Sequence, residues 1–120
     1  MSLEYYYRAQ AEQFSFIRIP KAMITEEMFS PLSVEAKILY GLLLDKMGNS
    51  MKLKWIDEAN RVYIIYPVSE IQENLGVSKR KAIDALAELE DIGLIDRRRQ
   101  GQGNPNLIYV KNFSQQVAMN

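Results

Sequence analysis

An α+β fold is what the sequence predicts: a winged helix-turn-helix with an additional N-terminal strand and a central β-hairpin. Three observations carry it. Two stretches with apolar residues at helical spacing are split only by Gly76-Val77-Ser78. Two runs of strand formers, Leu94–Arg99 and Asn106–Val110, follow at once around the loop Gln100–Pro105. The whole has 120 residues, 48% apolar and 25% charged, which suits one domain with a core of its own.

Residues 1–14 are polar and aromatic and read as an arm. The folded domain is expected over 15–113, with a tail over 114–120 that lacks any periodic signal. Phe16-Ile17-Arg18-Ile19-Pro20 alternates apolar and polar up to a proline stop, the pattern of a short strand. A short helical turn around Thr25 to Phe29 follows, with Thr25 as its cap.

Ser33 is placed to cap the first long helix. Ala36, Leu39, Tyr40, Leu43 and Met47 form its apolar stripe, widened by Ile38 and Leu42, and Gly48-Asn49-Ser50 ends it. Lys54-Trp55-Ile56 and Val62–Tyr66 are rich in strand formers and are joined by the polar link Asp57–Arg61, so they predict a hairpin. A short helix over Val68–Leu75 buries Val68, Ile71 and Leu75 on one face. Gly76 permits a sharp reversal, and Ser78 caps the next helix, which runs to Ile92 before Gly93. Ala82, Leu86 and Leu89 face inward, so Arg80, Lys81, Asp84 and Ala87 point away from the core.

Several chemistries are excluded by composition. There are no cysteines and no histidines, which removes disulfides, thiolate sites and the commonest general base and zinc ligand. Asp57-Glu58 suits a hairpin turn better than an acid–base pair, and nothing assembles a nucleophile with a base. No enzyme, cofactor or metal is therefore expected. The longest apolar run, Ile38–Leu44, is seven residues against the roughly 20 of a membrane span. The opening residues lack a signal core, and a cytoplasmic protein is expected.

Formal net charge is zero, yet six of fifteen basic residues fall in two acid-free triplets, Lys79-Arg80-Lys81 and Arg97-Arg98-Arg99. The first triplet starts the second helix of the helix-turn-helix, the turn that enters a major groove in this class of docking. Ser78, Lys79, Arg80, Lys81 and Asp84 are the candidate contacts there, for guanine, cytosine or phosphate. A solvated helix start is the bland alternative. Arg97, Arg98 and Arg99, with Gln100, Gln102 and Asn104, form a candidate wing along the phosphates or in a minor groove. An ordinary flexible hairpin is the competing reading. Alternation puts Arg97 and Arg99 on one face and Arg98 on the other. Tyr5, Tyr6 and Tyr7, together with Phe16 and Arg18, are candidates for a dimer interface, or else pack on their own domain.

With those residues placed, the chain resembles the N-terminal domain of RepA-type replication initiators from plasmids of Gram-positive bacteria. The resemblance rests on Glu4–Tyr7, Phe14-x-Phe16-x-Arg18-Ile19-Pro20-Lys21, Leu32-Ser33-x2-Ala36-Lys37-x-Leu39-Tyr40-x-Leu42–Asp45, Trp55–Glu58 before Val62–Ile64, and Leu89-Glu90-x2-Gly93-Leu94-Ile95. It covers roughly residues 4 to 113 and departs at Ala59-Asn60, where a glycine is expected in the turn. It implies double-stranded DNA binding at origin repeats, a homodimer, and a separate helical C-terminal domain that recruits host replication machinery and is missing here. A winged-helix transcriptional repressor shares every DNA-binding feature. A protein-interaction winged helix is the other alternative, favoured by Asp84, Glu88 and Asp91 and by the zero net charge.

Overall fold

The computed structural model describes residues 2–7 and 14–113. Its elements run α1 (Lys21–Thr25), a 3-10 turn (Glu27–Phe29), α2 (Val34–Ser50), β1 (Ile64–Ile65), α3 (Val68–Leu75), α4 (Lys79–Asp91), β2 (Ile95–Arg98) and β3 (Leu107–Val110). The strands form one antiparallel sheet in the order β1-β3-β2. Pairing puts Ile95, Arg97, Ile108, Val110 and Ile64 on one face, and Asp96, Arg98, Tyr109, Leu107 and Ile65 on the other. The core lies between the first face and helices α2 and α4, where Leu39, Leu43, Ile71, Ala82, Leu86, Leu89, Ile64 and Ile108 are buried.

Helix α2 begins where a serine can cap it. Ser33 Oγ accepts from the Ala36 amide at 3.1 Å. The cap is itself held from far along the chain: the Glu88 carboxylate accepts from the Ser33 amide at 2.7 Å and from its hydroxyl at 2.8 Å. Helix α2 ends at Ser50, the last residue of the expected Gly48-Asn49-Ser50 stop. There the Ser50 hydroxyl, fully buried, donates to the Tyr63 carbonyl at 3.1 Å and so ties the helix end to the next segment. At the turn between α3 and α4, Gly76 takes φ +65, a conformation that costs a residue with a Cβ. Its amide closes on the Gln72 carbonyl at 2.8 Å.

Three expected elements differ. The N-terminal strand does not form; Phe14–Pro20 is irregular. Ile17, Arg18 and Ile19 cross α2 at Gly41 instead. A Cβ there would lie 2.9 Å from Ile19 and 3.2 Å from the Arg18 carbonyl. The alternation that reads as a strand thus serves contact with a helix, whose backbone groups are already paired. The central hairpin shrinks to a single bridge, Ile56 with Val62. Lys54, at φ 59, closes a turn after α2 and breaks the first strand, while Ile64–Ile65 leaves the hairpin to pair with β3. Its turn needs no glycine because Asn60 takes the left-handed conformation at φ 64. Finally, Thr25 closes α1 rather than capping a later turn; its hydroxyl donates to the Lys21 carbonyl at 3.2 Å.

Candidate nucleic-acid interface

Helix α4 has three sides, each fixed by identifiable partners. Ala82, Ala85, Leu86 and Leu89 are buried. One flank is tied to α2, through Glu88 on Ser33 and Lys81 Nζ at 3.7 Å from Glu35. The opposite flank is tied to the wing, where Glu90 Oε1 accepts from Arg97 Nε at 3.2 Å and Nη2 at 2.7 Å. The Arg97 guanidinium on Glu90 holds that carboxyl below its usual range. Arg80 points outward between the two flanks, 85% exposed, with Asp84 one turn on at 3.5 Å. Lys79 is exposed and makes no ion pair among the described residues.

The helix start adds to this positive end. Ser78 Oγ accepts from the Lys81 amide at 3.1 Å, and the amides of Lys79 and Arg80 have no partner inside the helix. An N-terminus of this kind carries partial positive charge. The unfavourable placing of three cations there is offset by no acid in the first turn.

The wing divides its arginines. Arg97 lies on the core face, only 24% exposed, and clamps β2 to α4. Arg98 lies on the other face, stacked on the Tyr109 ring at 5.2 Å and paired with Asp96 at 3.2 Å. Arg99 is exposed beyond the strand end. Gln100 Nε2 donates to the Pro105 carbonyl at 2.8 Å and closes the loop at its base. Gln102 and Asn104 stand exposed at the tip, where Asn104 N–H reaches the Gly101 carbonyl at 3.3 Å.

Of the arm, Tyr5, Tyr6 and Tyr7 are exposed, and Tyr6 meets Phe14 edge-on at 6.3 Å. Phe16 and Arg18 are exposed as well. Residues 8–13 of the arm and the tail over 114–120 lie outside the described residues.

Sequence reasoning missed the work of the acids on α4. Glu88 and Glu90 fasten α4 to the Ser33 cap and to the wing through Arg97. Glu88 and Ser33 are 55 residues apart, a separation that carries no local signal. Asp57 proves to be the organiser of its turn. It accepts from the amides of Ala59 and Arg61, from Arg61 Nε and from the Tyr109 hydroxyl, at 2.8 to 3.0 Å. Among the described residues no acidic group of three or more is arranged to hold a metal, and no helix is long and apolar enough to cross a membrane.

Comparison with known proteins agrees with this geometry. The family model described as replication initiator protein A (RepA) N-terminus matches residues 15–120. A Lactobacillus helveticus protein described as a 41 kDa protein is 27% identical over 102 residues, 85% of this chain. The chain spans 28% of that relative's length. Among solved structures, an N-terminal domain of a DNA binding protein has a TM-score of 0.75 at 30% identity, over 92% of this chain and 85% of its own. A structure of a Rep–DNA complex has a TM-score of 0.75 at 30% identity, over 91% and 84%. A structure of an MDR initiator reaches 0.73 at 29%, over 91% and 86%.

Proposed function

The chain belongs to the replication initiator protein A (RepA) N-terminus family, and from that membership we propose that it binds double-stranded DNA at a plasmid replication origin. The carrying observation is the α4 surface: an exposed, serine-capped helix start bearing Lys79 and Arg80, with Asp84 beside Arg80 and the later acids Glu88 and Glu90 turned onto Ser33 and Arg97. The first turn of α4 enters the major groove, with Ser78, Lys79, Arg80, Lys81 and Asp84 as its contacts. The wing, through Arg98 at the end of β2 and Arg99, Gln100, Gln102 and Asn104 of its loop, follows the phosphates. Arg97 supports that loop from behind.

Self-association and the host machinery belong to the same reading. The exposed ring of Tyr5 to Tyr7, with Phe16 and Arg18, supports a homodimer that sets two helices at one spacing on repeated half-sites. Recruitment of host replication proteins falls to the part of the longer relatives that this chain does not span. The protein acts by binding and not by catalysis. A repressor would use the same surface; tandem repeats within or beside the coding sequence would favour the initiator.

Binding to duplexes carrying the tandem repeats nearest the gene, against scrambled duplexes of equal composition, tests the proposal. Preference of at least tenfold for the repeats is expected. Equal binding to both removes origin recognition from this domain.

A further inference from the structure

Ile83 stands out on α4. Of the thirteen residues of that helix it is the one exposed large apolar side chain, 37% accessible. Helical periodicity fixes where it points. It lies one turn beyond Arg80 and one turn before Ala87, on the outward stripe. It also lies two turns before Glu90, the residue that grips the wing through Arg97. Ile83 therefore occupies the wing-side edge of the exposed face, opposite the flank that Lys81 and Glu88 hold against α2.

This placement suits one chemistry. In a major groove a thymine presents an oxygen acceptor and a methyl group, and the methyl is recognised by apolar contact. A β-branched side chain on a helix holds nearly one rotamer, so little freedom is lost in making such a contact. The neighbours complement it: Arg80, paired with Asp84 at 3.5 Å, offers donors beside the apolar surface, and Ala87 leaves room for the groove wall.

We propose that Ile83 is a specificity-determining residue that packs against the 5-methyl group of a thymine in the major groove. The inference rests on the DNA-binding reading above and adds a base to it. The probe is a duplex that the intact chain selects from a random pool, with its thymines replaced one at a time by deoxyuridine, which lacks only that methyl. One position per half-site is expected to weaken binding by about fourfold, the size set by burial of one carbon group. Ile83→Ala is expected to bind the selected duplex more weakly and to lose that sensitivity. Ile83→Gln, which suits a helix at least as well as isoleucine, is expected to lose it too. A selected site indifferent to uracil at every position overturns the assignment of Ile83 alone. So does a uracil effect that persists in both variants. A pool from which no sequence is enriched overturns the DNA-binding reading along with it.

Discussion

Arg80 and Lys81 are neighbours in sequence but not in environment. Arg80 projects from the exposed stripe, whereas Lys81 leans towards Glu35 on α2. Arg80→Ala is expected to cost about 1–3 kcal/mol of duplex affinity and to relax preference at one base, as read by titration of a panel of single-base variants. Lys81→Ala is expected to weaken all sequences alike. Loss of preference on mutating Lys81 but not Arg80 would reverse these roles. Asp57 offers a test by pH. Its carboxyl is lowered from 3.8 to about 2, first by the Arg61 amide and further by Tyr109, the Arg61 side chain and Ala59. A lowered folded-state value means that the stabilisation is present above about pH 4 and is lost as pH falls towards 2. Asp57→Asn is expected to lower the melting temperature at neutral pH and to flatten its fall between pH 4 and 2. An unchanged acid limb would show that the turn does not depend on this charge. Burial acts at the alkaline end: Tyr40 and Tyr66 are both pushed up to about 12, so neutral phenols stabilise the fold until pH rises past about 10.

Elements show how much could be read in advance. The caps at Ser33 and Ser78, the reversal at Gly76, helices α3 and α4 and both wing strands follow from local chemistry, and their positions were legible. The Phe16–Ile19 segment was not, because alternation does not say whether the apolar side meets a sheet or a helix, and Gly41 decides it from a distance in sequence. The wing arginines were legible as a cluster but not as individuals, since the partner of Arg97 lies on another element. Two predictions belong here. Glu88→Ala leaves the Ser33 amide and hydroxyl without their acceptor, and urea unfolding is expected to show a loss of about 1–3 kcal/mol. Glu90→Gln is expected to weaken DNA binding by loosening the wing, with faster amide exchange in β2. If Arg97 contacts DNA directly, freeing it from Glu90 would instead leave binding intact or tighten it.

At the scale of the whole molecule, zero net charge and a polyanionic partner are reconciled by distribution. The acids of α4 are partly engaged inside the fold, and the cations gather at the helix start and the wing. One such module buries only about 600–1,000 Å² of protein on DNA, too little to single out an origin among many sites. Two copies at a fixed spacing would multiply that discrimination. Sedimentation is expected to show a dimer for the intact chain and a weaker one for a version lacking residues 1–13. Monomers in both cases, with and without DNA, would remove the dimer. The central claim is that this surface neutralises phosphates, and binding of a repeat duplex across a series of salt concentrations tests it most directly. With about five or six phosphates engaged, log K is expected to fall with log salt at a slope of roughly −5. A slope near zero, or no duplex binding at any salt concentration, would contradict it.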